Sequence, residues 1–193
     1  MPRGPGVRRD SSPEGRFLWK ADIINMPFSL LQLSREELLE CAGSRLPAAL
    51  ASRVEVGALP PSFVAARALK LIAEGKSEFW CNTFLIVRHR DQRIIGGCGF
   101  KNAPKDGRVE IGYGVSPDSR GQGAATAAVG LLLQLAFGSG VREVLAEVTP
   151  DNLASAKVVR KLGFVSTGTR VDEEDQVVVQ WVAKNGGSRP CPR

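Results

Sequence analysis

The stretch 109–137 constrains the fold most, because it joins a strand-like segment to a long apolar segment through a tight turn. Residues 109–115 read Val-Glu-Ile-Gly-Tyr-Gly-Val, which is typical of a strand, and Pro117 begins the turn that interrupts it. Residues 124–137 are apolar on nearly every side and too few to cross a bilayer, which predicts a helix buried against a sheet. We therefore expect the functional site where the strand passes into this helix.

The predicted helix begins with residues so small that its backbone amides can approach a ligand closely. Unsatisfied N–H groups and the helix dipole together favour an anion at such a terminus. A Walker A loop requires Gly-Lys-Ser/Thr, and no such string follows Gly121. A dinucleotide fingerprint requires Gly or Ala three residues after Gly123, where Thr126 stands. The turn thus predicts a phosphate-bearing ligand held in another way.

The pattern Arg-x-x-Gly-x-Ala at 120–125 resembles the pyrophosphate-binding motif of the GNAT acetyltransferases, which lies between their fourth strand and the following helix. A second segment, Asn-Leu-Ala-Ser at 152–155 with Lys-Leu-Gly-Phe at 161–164, is similar to a later motif of that family. With Glu-Ile-Gly-Tyr at 110–113, these motifs resemble the branch of ribosomal-protein N-terminal-alanine acetyltransferases, RimJ and RimL. The resemblance covers roughly residues 83–184.

The resemblance implies that acetyl-CoA lies in a gap between residues 112–115 and the next strand, predicted over 141–148. The pantetheine would run along the strand backbone, and the pyrophosphate would meet the amides of the turn. The residues implied to bind the cosubstrate are Gly114, Val115, Arg120, Gly121, Gln122, Gly123, Ala124, Ala125 and Asn152. The four cysteines show no CxxC or Cys/His spacing, so no metal site is predicted.

Acetyl transfer requires a neutral amine, and a base helps some amines more than others. At pH 7 an α-amine is about one-tenth neutral, whereas a lysine is neutral in fewer than about one molecule in a thousand. By resemblance, Glu110 is the candidate base, with a salt-bridged or solvated carboxylate as the alternative; Glu147 is a second candidate. Many family members place a Tyr as general acid where Val159 stands here. Ser155 is the candidate donor near the sulfur, or simply a first-turn helix residue.

Charge and composition predict one globular domain over residues 17–184, with mobile basic tails at 1–16 and 185–193. The net charge is +6, but the chain between residues 21 and 183 carries equal numbers of acidic and basic side chains. Because the excess lies at the ends, nucleic-acid binding is not favoured. We find no apolar run long enough for a membrane span, and we expect a cytoplasmic protein.

The remaining pattern predicts an α+β fold, with antiparallel strands first and a βαβ unit late, which argues against a Rossmann fold. Ser34 and Glu37 form a capping box before a short helix. The other predicted elements are a strand over 17–24, a helical piece over 48–54, a helix from 62 to 75, a hairpin of Thr83–Arg88 and Arg93–Phe100, a helix over 152–162 and a closing hairpin of 164–170 and 176–184.

The predicted function is acetyl-CoA-dependent N-acetylation of a primary amine, on a small molecule or a protein N-terminus. The alternative is a non-catalytic acyl-CoA-binding sensor or interaction module on the same fold. The sequence leaves open the acceptor, the role of the tails and whether the chain forms a homodimer.

Overall fold

The computed structural model describes residues 7–11, 17–21, 27–173 and 175–186. This part of the chain contains nine strands and five α-helices. In chain order the elements are β1 (Val7–Ser11), β2 (Phe17–Ala21), β3 (Phe28–Gln32), α1 (Arg35–Ala42), α2 (Ser62–Ala73), α3 (Glu78–Cys81), β4 (Thr83–Arg88), β5 (Arg93–Phe100), β6 (Arg108–Val115), α4 (Ala124–Gly138), β7 (Glu143–Val148), α5 (Leu153–Lys161), β8 (Val165–Val171) and β9 (Val177–Lys184).

All nine strands lie in one sheet, in the order β1-β2-β3-β4-β5-β6-β7-β9-β8. Neighbouring strands are antiparallel except β6 and β7, which are parallel and are connected through α4. A parallel pair needs such a crossover, and the helix supplies it. The predicted α+β class, the mostly antiparallel sheet and the βαβ unit are confirmed.

The sheet has an apolar layer on each face. On one face, α4 packs against β6 and β7 in a large core that includes Leu131, Leu132 and Val144, all fully buried. On the other face, a smaller core joins α1 and α2 to the first half of the sheet through residues such as Leu38 and Leu85. This arrangement positions the N-terminus of α4 beside the end of β6.

Strand β3 was not predicted, and its burial explains why. Phe28 and Leu30 belong to the large core, whereas Leu31 belongs to the smaller core on the opposite face. A strand covered on both faces carries no alternation of apolar and polar residues. The period of two that identifies a half-buried strand is therefore missing.

Two other predictions change at the N-terminal side. Residues 7–11, predicted as part of a mobile tail, form β1 and pair with β2 over Val7↔Ala21 to Ser11↔Phe17. They contain neither Pro nor Gly, so every backbone N–H can join the ladder. The rest of both predicted tails, except residues 185 and 186, lies outside the described residues. The predicted strand over 17–24 is described only to Ala21.

The segment 48–54 is less helical than predicted. Only Ala48–Leu50 form a turn of 3₁₀ helix, and Val54 instead forms an isolated bridge with Ile94 of β5. By contrast, the capping box is confirmed: the Ser34 amide donates to Glu37 Oε2 over 2.8 Å, and the Glu37 amide donates to Ser34 Oγ over 3.2 Å. Across the described ranges, no helix is both long and apolar enough for a membrane span.

Candidate functional site

Strands β6 and β7 separate halfway along their length. Their parallel pairing runs from Arg108↔Glu143 to Ile111↔Ala146. Beyond that point, Gly112–Val115 pair only with β5, and the end of β7 pairs only with β9. Main-chain groups of Gly112–Val115 that point away from β5 thus have no strand partner in the described part of the sheet. The gap lies where the resemblance implies acetyl-CoA.

The turn after β6 presents free backbone amides at the same end of the sheet. Gly121 and Gly123 have φ of +74° and +84°, a left-handed conformation that side chains rarely adopt. Gly123 is the N-cap of α4 and offers no side-chain cap. The amides of Ser119 and Arg120 bond within the turn, and the next backbone hydrogen bond is donated by the Ala127 amide to the Gly123 carbonyl over 3.0 Å. The amides of the first helical turn are therefore available to an anion such as a diphosphate.

The space around this turn is open. A Cβ atom added at Gly121 or Gly123 would meet nothing within 4 Å. Glycine is required there by the backbone conformation and not by crowding, so neighbouring atoms leave space beside the turn.

Side chains of the predicted cosubstrate site contribute unequally. Arg120 is exposed, and its Nε donates to the Val115 carbonyl over a long 3.4 Å. Gln122 is also exposed and donates to the Asp118 carbonyl over 3.2 Å. Ala124 is only 2% exposed and packs into the large core, so it offers a ligand its amide alone.

The far side of the gap is built by the start of α5. Asn152 Oδ1 accepts from the Ser155 amide over 3.0 Å, so Asn152 caps this helix. The Tyr113 hydroxyl donates to the Ser155 carbonyl over 3.2 Å and thereby connects β6 to α5. Burial, the dominant influence, raises the pKa of Tyr113. Tyr113 is a site residue that the sequence analysis did not single out, although it belongs to the quoted Glu-Ile-Gly-Tyr string.

The two candidate bases lie beside the gap but in different surroundings. Glu110 is 22% exposed and pairs with Lys101. Glu147 is 5% exposed and accepts from Arg170 Nε and Nη2 over 2.5 and 2.7 Å, and from Gln180 over 3.0 Å. Burial would raise the pKa of Glu147, but these hydrogen bonds outweigh burial and lower it. Glu147, which has more partners, is the poorer proton acceptor of the two, while the pairing of Glu110 with Lys101 is the salt bridge named above as its alternative role.

The predicted catalytic residues approach the gap from opposite sides. Side chains alternate along a strand, so Glu110 and Gly114 point away from the face on which Ile111 and Tyr113 pack with the α4 core. Ser155 lies on that second side, next to Tyr113. Glu110 and Ser155 thus lie on opposite faces of the sheet, one on each side of the gap.

Val159 stands at the position where many family members carry a proton-donating Tyr. It is fully buried within the large core, on the inner face of α5. The position at which many family members carry a Tyr is therefore occupied here by packing. Val159 cannot donate a proton, so a proton donor at this gap has to be another residue or water. Separately, no group of three or more potential metal ligands occurs among the residues that the structure describes.

Comparison with known proteins gives the family. A family model described as "Acetyltransferase (GNAT) domain" matches residues 48–165, which is more than half of the chain, and the chain belongs to this family. A relative, the uncharacterized N-acetyltransferase p20 of Bacillus licheniformis, is 32% identical over 108 residues. That match covers 55% of this chain and 61% of p20, so the chain spans less than two thirds of the relative's length.

Solved structures share the fold. The ribosomal-protein-S5-alanine acetyltransferase from Vibrio fischeri superposes with a TM-score of 0.61 at 17% identity, over 87% of this chain and 98% of that one. The microcin C7 self-immunity acetyltransferase MccE, solved with acetyl-CoA and AMP, gives 0.59 at 16% identity, over 83% and 94%. At these identities the likeness concerns the fold.

Proposed function

We propose that the chain is an acetyl-CoA-dependent N-acetyltransferase that acts on a primary amine of a small molecule or a protein N-terminus. The observation that carries the proposal is the coincidence of two features at one end of β6. The strands separate after Ile111, and the turn 116–123 leads from the end of β6 to the free amides at the start of α4. A gap for an extended thioester arm then leads directly to an anion site for the diphosphate.

The chemistry needs an attacking amine, a place for the developing oxyanion and two proton transfers. The amine attacks the thioester carbonyl, the C–S bond breaks, the nitrogen loses a proton and the sulfur gains one. The backbone N–H of Val115, which alternation along the strand points away from β5, is a candidate donor to the oxyanion. Glu110 is our candidate base, directly or through water. Ser155 is the candidate donor to the sulfur, whose thiol has a pKa of about 8.5, so the donor need not be strong.

The proposal is tested by following release of the CoA thiol from acetyl-CoA in the presence of amines. A panel of N-terminal peptides, polyamines, amino acids and aminoglycosides covers the acceptor classes. We expect at least one amine to accelerate release well above hydrolysis. Binding of acetyl-CoA with no amine-dependent release across the panel would contradict the proposal and support the non-catalytic sensor.

Glu110 is tested with a matched control. Glu110→Gln should lower kcat, most at low pH where the amine is least often neutral, while the KM for acetyl-CoA changes little. Glu143→Gln is the control, because Glu143 is a similarly exposed (26%) strand glutamate that pairs with Arg108 at the closed end of the same strand pair. Equal kcat values for the two variants at every pH would remove Glu110 as the base.

A further inference from the structure

A buried polar network lies directly beneath the turn between β6 and α4. Glu55 Oε2 accepts from the Ser116 hydroxyl over 2.5 Å and from the Ser119 hydroxyl over 2.6 Å. Arg88 donates to Glu55 Oε1 over 2.9 Å and to Ser119 Oγ over 2.8 Å. Ser116 and Ser119 are 0% and 1% exposed, and the Glu55 side chain is 12% exposed.

The network joins three segments that are distant in sequence. Glu55 is 61 and 64 residues from the two serines, and its amide donates to the Ile94 carbonyl of β5 over 2.9 Å. Arg88 is the last residue of β4 and is also held by Asp91 over 2.8 Å. Ser116 precedes the 3₁₀ turn Pro117–Ser119 and Ser119 is its last residue, and the turn leads into the loop at Gly121. Both ends of this turn are thereby tied to the rigid part of the sheet.

The chemistry of the network suits an ionised glutamate. Burial alone would raise the pKa of Glu55, but the hydroxyls of Ser116 and Ser119, together with Arg88, outweigh burial and lower it. Both carboxylate oxygens have short hydrogen bonds, and the Arg88 guanidinium is shared between Glu55 and Asp91. A buried network in which each member is paired holds one geometry, whereas loss of one member leaves a charge without its partner.

The network lies outside the apolar core that stabilises the fold. Strand β6 and helix α4 are fixed to each other by the large apolar core, to which none of these four residues belongs. What the network fixes in addition is the path of residues 116–119. That path determines where the amides that follow Arg120 point.

We propose that Glu55, supported by Arg88, is a positioning residue for the anion site: through Ser116 and Ser119 it aims the free amides of residues 121–125 at the diphosphate of acetyl-CoA. This inference rests on the proposed function, since it assumes that acetyl-CoA binds there. Glu55 itself does not reach the ligand. Its effect is on binding of the cosubstrate and not on the chemical step.

The test compares Glu55→Gln with wild-type enzyme in the full chain. Gln keeps the shape of the side chain but removes the charge, which weakens the hydrogen bonds from the two serines and Arg88. Because hydrogen bonds to a charged group are strong, we expect the KM for acetyl-CoA to rise about tenfold or more. At saturating acetyl-CoA, kcat should stay within about twofold of wild type. Glu55→Asp restores the charge at shorter reach and should recover part of the KM. Glu74→Gln, an exposed glutamate at the end of α2, is the matched control and should change neither value.

A second variant guards against loss of folding. Ser119→Ala removes one hydroxyl and leaves the Glu55–Arg88 pair, so it should fold and raise the KM for acetyl-CoA about threefold. If both variants melt at lower temperature but keep the wild-type KM, the network serves stability alone and the positioning role is overturned. If wild-type protein binds no acetyl-CoA by calorimetry, the proposed function fails, and the positioning role fails with it.

Discussion

Replacement of Gly114 by alanine should stabilise the folded protein and weaken the binding of acetyl-CoA. This one variant therefore distinguishes effects on stability from effects on function. The residue lies in the second half of β6, is exposed, and has no left-handed φ. A Cβ atom added there would meet nothing within 4 Å. The new methyl group therefore lies on the sheet face opposite α4, at the edge of the gap between β6 and β7, and contacts no other described part of the protein.

The magnitudes follow from this geometry. An allowed Gly→Ala change lowers the entropy of the unfolded chain and stabilises by about 0.4–1 kcal/mol. For a protein of this size, that gain corresponds to a rise in Tm of about 1–4 °C. A methyl group placed against a well-fitted ligand costs about 1–3 kcal/mol, by analogy with overpacking in cores. The Kd for acetyl-CoA should then rise about 5- to 150-fold.

Two measurements on the same sample check the prediction: thermal unfolding without ligand, and calorimetric titration with acetyl-CoA. Gly138→Ala is the control, since Gly138 is the exposed last residue of α4 with open space around it. It should also stabilise but leave the Kd unchanged. Wild-type affinity in Gly114→Ala would refute the path of the pantetheine along β6. A fall in Tm of several degrees would refute the open gap.

Three further predictions concern the residues around the gap. The chain has a single tyrosine, so a pH titration of tyrosinate absorbance reports Tyr113 alone. The pKa of Tyr113 should lie above the ordinary phenol value of about 10, and the stability of the protein should fall as the pH rises through that pKa. A pKa equal to that of the denatured chain would contradict the burial of Tyr113. Because the pKa of Glu147 is lowered on folding, its ion pair stabilises above the ordinary glutamate value of about 4.3 and is lost as pH falls below it. Urea unfolding should therefore show a weaker acid dependence for Glu147→Gln than for wild type, and parallel curves would argue against the pair. Gly96→Ala should lower Tm by several degrees, because its Cβ would clash with the Gly114 carbonyl of the neighbouring strand and no flexible side chain can move aside; an unchanged melt would contradict this close approach.

Local patterns predicted the second half of the chain well, for physical reasons. The segment from β6 to α5 contains, in order, a half-buried strand, a glycine turn, an apolar helix and a buried strand. Each of these is marked in the sequence by its own pattern of apolar residues or by its turn residues. The positive φ at Gly121 and Gly123 likewise follows from the need for a tight turn before α4. The expectation that acetyl-CoA lies beside this turn came from the resemblance, and it stays a prediction.

Features that depend on distant contacts were not predictable in this way. Strand β3 has no alternation because both its faces are covered. Phe63, an aromatic residue at the start of α2, is 64% exposed, because the buried face of α2 runs through Ala65 and Ala68. Glu55 and Arg88 are unremarkable in sequence, since nothing near them indicates that two serines more than sixty residues past Glu55 will close over its carboxylate.

The most direct test of the central claim is a calorimetric titration of three proteins with acetyl-CoA: wild type, Gly123→Glu and Gly140→Glu. The two glycines lie at opposite ends of α4, share a φ of +84° and have nothing within 4 Å of an added Cβ. In both variants a glutamate has to adopt a left-handed backbone conformation, which destabilises each by about 1–2 kcal/mol. Only Gly123→Glu also places a carboxylate against the diphosphate.

We predict wild-type binding with a Kd on the order of micromolar. Gly140→Glu should bind with the same affinity, and Gly123→Glu should bind at least about a hundredfold more weakly, because like charges near 4 Å repel by several kcal/mol at the protein surface. Equal affinity of the two variants would contradict the assignment of the anion site to the N-terminus of α4, and absence of wild-type binding would contradict acetyl-CoA as the cosubstrate.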